Sequence, residues 1–300
     1  MQIKIDDKGK ELKNHGNYEF PVSVDYEILS QYDRSSFNWH WHEEIELTLI
    51  LNGKMDYIIN ETVYSLKEGE GLFGNSNTLH MGKSCNMNDC RYISITFHPR
   101  LLYGYEGSII KTKYVNPIIN SNVSAIHMTD DSLWKRIILD EIENIYKVYI
   151  NNDKMVEIKI IESIYKIWIT LYENNITQFN TISKYNIKDI ERIKKIISFI
   201  NENYRKKITL DEIAGCINIC KSECCRFFKK HMKQSLFDYL LDYRIERSLI
   251  LLKDSNYNIT EIAYAVGFSN TAYYSKIFKR KMLCTPKEYR KKIMDYNQIY

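Results

Sequence analysis

Residues 40 to 53 read HWHEEIELTLILNG, which packs two histidines, three glutamates and an Asn-Gly pair into one short stretch. Imidazole nitrogens and carboxylate oxygens hold divalent transition ions. The same groups also hydrogen-bond a small polar ligand in a pocket. Positions 40, 42, 44 and 46 are all even, so in one extended strand His40, His42 and Glu46 share a face. Ile45, Leu47, Leu49 and Leu51 then occupy the other face, and the parity turns Trp41 away from the histidines. Two chemistries are open for this stretch, a metal site or the wall of a ligand pocket. A third reading is that the side chains are merely packed.

The elements that must position these groups are strand-like from about Tyr18 to Pro99. Residues 45–51 alternate with the period of two expected of a strand. Asn52-Gly53 predicts a type I′ hairpin turn. The segments KMDYII and TVYSL follow, with a second polar turn, NE, between them, and the set predicts a β-sandwich or small barrel. From Asp131 the period changes. Trp134, Ile137, Ile138, Ile142, Ile145 and Tyr149 form one helical stripe, and Ile161, Ile164, Tyr165, Trp168 and Leu171 form a second. The intervening NNDK predicts an antiparallel helix pair, whose two stripes either pack only on the barrel or also supply part of a dimer interface. NNITQFNTISKYN, rich in Asn, Thr and Ser, predicts an interdomain linker, and everything beyond Ile187 reads as helical. The expected organisation is α+β in two domains: 1–174 (barrel about 18–125, helices about 131–173), a linker 175–187, and a helical domain 188–300.

Three hundred residues with 44% hydrophobic content are enough for two cores. No run of about 18 uncharged apolar residues is present, so no membrane span is expected. The charged N-terminus lacks the apolar region of a signal peptide. Seven irregularly spaced cysteines do not form a disulfide framework, which points to a reducing cytoplasm. The net charge of +4 is unevenly spread. Residues 186–300 carry 23 Lys/Arg against 13 Asp/Glu, and the rest of the chain carries 19 against 25. A basic C-terminal part beside an acidic N-terminal one marks the former as the part that meets a polyanion.

Within that basic part, ITLDEIAGCINICKSECCRFFKK and NITEIAYAVGFSNTAYYSKIFKR resemble each other. Each reads as a short helix, a tight turn and a second helix, packed through Ile213, Ala214, Ile219 and Phe228, or through Ile262, Ala263, Val266 and Ile277. Gly267 supplies the second turn. This is helix-turn-helix patterning, in which the second helix enters the major groove. Between the copies, Leu236–Leu252 predicts a helix of about 25 Å, with Phe237, Leu240, Tyr243 and Ile245 on its apolar face. A rod of that length can hold two recognition helices near the ~34 Å spacing of successive major grooves.

From about Ile208 to Arg290 the chain resembles the DNA-binding domain of AraC-type transcriptional regulators. RFFKK, DYLLDYRIERSLILL, ITEIAYAVGFSN, YYSKIFKR and TPKEYR carry the match, and a β-rich domain ahead of it fits the family. The departures are Cys220 for the usual Ser, Cys224 for a core Leu, and Lys233 and Leu283 where Gly is frequent. Cys216, Cys220 and Cys224 share one helical spacing, but without a CxxC pair they read as small packing groups rather than a zinc site. Carried over by position, the resemblance implies that Ser222, Cys225, Arg226, Thr271, Ala272, Ser275 and Lys276 face base edges. Lys221, Lys229, Lys279 and Arg280 would reach phosphates.

The N-terminal stretch, His-x-His-x3-Glu-x6-Gly, resembles the first motif of cupin barrels, and GEGLFGNSNTLH resembles the second, with Asn75 and Asn77 where Pro and Gly are usual. His80 is retained. In metal-binding cupins such a set, here His40, His42, Glu46 and His80, holds an ion. AraC-type regulators use the cupin-like barrel to bind an effector without metal. The reading adopted is a homodimeric regulator that binds double-stranded DNA, with no cofactor and no catalytic residue, and with a sugar or related metabolite bound by His40, His42, Glu46 and His80. The competing reading is a metal-dependent cupin enzyme joined to a DNA-binding module.

Overall fold

The computed structural model describes residues 2–85, 89–179, 184–253 and 257–297. The chain divides into two compact units, one mainly Lys10–Ile190 and the other mainly Glu191–Tyr300.

Among the described residues the first unit contains nine strands: β1 Val22–Ile28, β2 Ser36–His40, β3 Ile45–Asn52, β4 Lys54–Ile59, β5 Thr62–Lys67, β6 Gly71–Gly74, β7 His80–Ser84, β8 Arg91–Phe97 and β9 Ala125–Met128. They form two antiparallel sheets, ordered β1-β8-β3-β6-β9 and β2-β7-β4-β5. Among the described residues these do not join into one closed barrel. Ile50, Leu72 and Tyr92 of the larger sheet share a core with Phe37, Met55, Tyr57 and Leu66 of the smaller one, so the two sheets face each other.

Beyond the short helices α1 Arg100–Tyr103 and α2 Asn116–Ile119 come α3 Leu133–Ile150 and α4 Val156–Phe179. These two pack on each other. Together they bury the outer face of the larger sheet, where Ile45, Leu47 and Leu49 meet Ile138, Ile142, Ile164 and Trp168. The larger sheet is therefore covered on both sides, which explains why β3 is buried from Ile45 to Ile50 although its pattern alternates. Its odd positions face the helices and its even ones face the interior between the sheets. The α3 stripe is rotated from expectation: Ile137 and Tyr149 are exposed, while Leu139 and Val148 are buried in their place.

Two expectations are corrected. Asn52-Gly53 is not a type I′ hairpin turn, because β3 and β4 belong to different sheets and only Gly53 has positive φ (84°). The pair turns a corner, and a Cβ on Gly53 would stand 2.2 Å from the Asp89 carbonyl oxygen. The expected linker 175–187 is largely helical. α4 runs to Phe179 and α5 (Lys184–Asn203) begins soon after, with residues 180–183 outside the described set. The asparagines do not break α4 because their amides bond inside it, Asn174 Nδ2 to Thr170 O at 2.8 Å and Asn175 Nδ2 to Leu171 O at 3.0 Å.

Among the described residues the regular elements of the second unit are helices: α6 Leu210–Gly215, α7 Lys221–Met232, α8 Leu236–Leu252, α9 Ile259–Ala265, α10 Thr271–Met282 and α11 Pro286–Asn297 follow α5. Both short first helices start at a capping box, Thr209 with Glu212 and Asn258 with Glu261. Thr285 and Glu288 repeat the reciprocal pair at α11. The turn inside each helix-turn-helix needs one left-handed residue four positions after the buried Ala, supplied by Asn218 (φ 54°) in the first copy and Gly267 (φ 89°) in the second. α8 packs on α7, α9 and α10, linking the two copies. Of its expected apolar face Leu240, Tyr243 and Ile245 are buried, and Phe237 is exposed. No described helix is long and apolar enough to cross a membrane.

Candidate functional site

His40, His42, Glu46 and His80 come together between the two sheets, but not along one strand as expected. His40 ends β2 and lies directly opposite His80 at the start of β7, with ring centroids 4.1 Å apart. His42 sits in the crossing from the smaller to the larger sheet, and Glu46 points inward from β3. Parity therefore puts His40, His42 and Glu46 on one side, where the structure also places them, although the strand breaks after His40. All four are buried.

The imidazoles share one pattern. Nδ1 of His40 is 2.8 Å from Asn38 O, Nδ1 of His42 is 3.1 Å from Glu44 O, and Nδ1 of His80 is 3.0 Å from Thr78 O. A carbonyl only accepts, so each Nδ1 donates and each Nε2 faces the cluster; when the His42 ring is protonated, its Nε2 donates to the Glu46 carboxylate as well. Glu46 Oε2 lies 3.4 Å from His42 Nε2 and 3.5 Å from His80 Nε2. Its other oxygen accepts from Thr48 and Ser94, each at 3.1 Å.

Burial pushes His80 well below its ordinary pKa and His40 down as well. Burial would lower His42 too, but the Glu46 carboxylate reverses the sign and raises it. Against its own desolvation, Glu46 is held well below the carboxylate range by hydrogen bonding to His42 and by the surrounding imidazoles. Tyr57 is pushed upward by burial and by Glu46, and its phenol stays protonated.

Two members of the cluster had no signal in the strand pattern. Glu11 and His15 come from the N-terminal segment, which is pinned by the bond from Glu11 N to Trp41 O at 3.0 Å. Glu11 Oε2 lies 3.0 Å from His15 Nε2 and 3.8 Å from His40 Nε2, and His15 Nδ1 is 2.7 Å from Thr96 Oγ1. Burial would raise the Glu11 carboxyl, but the His15 hydrogen bond and the imidazole charges hold it at about 2. A Glu-x3-His spacing beside other histidines was the only sequence hint.

The cavity at this cluster holds about 60 Å³. Pockets for organic ligands run to roughly 300–1,000 Å³, so a sugar-sized guest requires the walls to part, whereas an ion or a few waters do not. A wider open groove of about 750 Å³ lies between the Lys67–Glu70 turn and α3. Arg136 and Asp130 pair there in solvent.

In the second unit the expected contact residues sit on two second helices. On α7, Lys221, Ser222, Cys225, Arg226 and Lys229 are exposed; on α10, Ala272, Lys276, Lys279 and Arg280 are exposed, while Thr271 and Ser275 are half-buried. Cys224 is buried, and among the described residues no cysteine joins a metal-ligating group. Tyr273 is exposed on α10 beside the expected contact residues. Lys221 also reaches Asp211 at 2.8 Å. Asn270 caps α10 through the amides of Ala272 and Tyr273. Cys220 occupies the same place on α7 without a side-chain cap.

Comparison with known proteins supports both halves. Residues 26–136 match the model of the AraC-like ligand binding domain, and residues 213–292 match that of a helix-turn-helix domain. An uncharacterized HTH-type transcriptional regulator of Bacillus subtilis, YdeC, is 34% identical over 96% of this chain and 97% of its own. The Msm operon regulatory protein of Streptococcus mutans is 27% identical over 46% of this chain and 49% of its own. Among solved structures, unsaturated fatty acid-bound ToxT from Vibrio cholerae aligns over 90% of this chain and 94% of its own, with TM-score 0.42 and 16% identity. The chain belongs to the AraC family of transcriptional regulators, with an N-terminal ligand-binding domain and a C-terminal helix-turn-helix domain.

Proposed function

We propose that the protein is an effector-responsive regulator that grips double-stranded DNA with both helix-turn-helix units. The observation that carries this reading is the pair of exposed basic second helices, α7 and α10, each packed against α8. Arg226 is the candidate for a bidentate guanine contact and Ala272 for a thymine methyl. Ser222, Cys225, Thr271, Ser275 and Lys276 complete the base-facing set. Lys221, Lys229, Lys279 and Arg280 serve the phosphates.

The effector is small and polar and enters the interior lined by His40, His42, Glu46 and His80. A sugar fits the hydrogen-bonding chemistry but not the 60 Å³ void as it stands. The effector acts by binding one arrangement of the DNA-binding units better than another. Ile137, Ile158 and Ile169, exposed on α3 and α4, support a homodimer formed through the helix pair.

Selection from a randomised duplex pool tests the DNA reading. The full chain should enrich one sequence, and Arg226→Ala should relax a single position of it. Recovery of no preferred sequence would remove the reading.

A further inference from the structure

We infer that Arg244 and Arg290 are positioning residues for the DNA contact: together they seat α10, the second recognition helix, and so set which bases the second helix-turn-helix copy accepts. This role rests on the proposed DNA grip by both copies. It adds that the second copy's share of the sequence preference depends on two side chains that face the protein, not the duplex.

The buried side of α10 carries a row of aromatic rings. Phe268, in the turn, lies 5.2 Å from Tyr274, Tyr274 lies 5.7 Å from Phe278, and Phe278 lies 5.7 Å from Tyr289 of α11. Phe268, Tyr274 and Phe278 are buried. Edge-to-face and tilted ring contacts carry a preferred geometry, so the row fixes the rotation of α10 about its own axis.

An arginine closes each end of the row. Arg244, on α8, holds its guanidinium 5.7 Å over the Phe268 ring. The same group donates from Nε to Tyr204 O at 2.8 Å and from Nη2 to Lys206 O at 2.7 Å, which ties down the turn after α5. Gly267 rests against that turn, since a Cβ there would stand 2.4 Å from Tyr204 O. At the other end Arg290, next to Tyr289, donates from Nε to Leu252 O at 3.3 Å, a carbonyl that the end of α8 leaves unpaired. Its charge reaches the row: burial pushes the Tyr274 phenol up to about 12, opposed by the Ser248 hydrogen bond and by Arg290. Arg290 Nη2 is buried without a hydrogen-bond partner among the described residues. An unpaired buried donor lowers stability, so stability alone does not account for an arginine at this place.

The first copy is built differently. The Phe228–Tyr239 ring pair, at 5.8 Å, repeats the Phe278–Tyr289 contact. In that register Cys224 stands on α7 where α10 has Tyr274, and Leu240 stands where α11 has Arg290. Ile219 follows the left-handed residue of the first turn, where the second has Phe268. The row is cut short there, and losing Arg290 should leave the reading by α7 intact.

The test is site selection from a randomised duplex pool, followed by competition binding, with full-length protein. Lys276→Ala marks the half of the selected sequence that α10 reads, and Arg226→Ala marks the half that α7 reads. A mismatch at a read position ordinarily weakens binding roughly tenfold or more. In Arg290→Met that penalty should fall to about twofold in the α10 half and keep its size in the α7 half, with an unchanged salt slope. Arg290→Lys, which keeps the charge and a donor toward Leu252 O, should restore most of it. Arg244→Lys, which loses the fork between two carbonyls, should act on the same half. In the unsubstituted protein, NMR should find the Nε protons of Arg244 and Arg290 in slow exchange with water and that of Arg280 in fast exchange, so the result does not hang on whether a variant folds. A penalty kept in both halves, or lost equally from both, would overturn the assignment. So would uniform weakening with a lower salt slope, which marks a phosphate contact, or fast exchange at both arginines. A wild type that selects no sequence would remove the DNA reading and this role with it.

Discussion

Leu283 and Lys233 close α10 and α7 in the left-handed conformation, with φ of 59° and 53°. A side chain there costs about 1 kcal/mol against Gly. Leu283 is 71% exposed and gives little burial in return. Leu283→Gly should therefore raise stability by about 1 kcal/mol, visible as a higher urea midpoint with an unchanged slope. Gly267 is the opposite case. It sits at φ 89°, and a Cβ would stand 2.4 Å from Tyr204 O, so Gly267→Ala should destabilise by about 2 kcal/mol or more. A wild-type melting curve for that variant would contradict the turn geometry. The sequence marked positions 233 and 283 as departures from glycine. Their conformation was not legible in it, because left-handed φ is imposed by how the chain leaves each helix.

At the scale of elements, the contacts proposed for α7 and α10 divide by residue type. Arg226→Ala should cost about 1–3 kcal/mol in DNA affinity and change the base preference at one position. Lys279→Ala should weaken binding to all sequences alike and reduce the salt slope by about 1. Fluorescence anisotropy across a salt series separates the two. Helix and strand positions were largely readable from hydrophobic period, and α8 falls where expected, at Leu236–Leu252. The failures have a common cause. Asn52-Gly53 has local hairpin chemistry, but sheet membership is decided by the partners β3 finds in β6 and β8. The Asn-rich stretch after Tyr172 looks like a linker, yet Asn174 and Asn175 at its start bond inside α4 itself. In the interior cluster, His40, His42, Glu46 and His80 are the residues that spacing and resemblance pointed to, and the fold brings them together. Glu11 and His15 reach it by a long-range fold contact that no periodicity announces.

At the scale of the whole molecule, the chain joins an acidic domain with a polar interior to a basic domain with two helix-turn-helix units. The exposed isoleucines of α4 give a direct test of assembly. Ile158→Glu with Ile169→Glu should convert a dimer to a monomer in sedimentation velocity, without loss of secondary structure. A dimer that survives the pair would move the interface elsewhere. The central claim is that the chain reads DNA sequence through its basic domain. The most direct measurement is the affinity of the full chain for its selected duplex and for a scrambled duplex of equal length, across a salt series. The selected duplex should bind at least about 1,000-fold tighter, and both affinities should fall steeply as salt rises. Equal affinities for the two duplexes would contradict the claim.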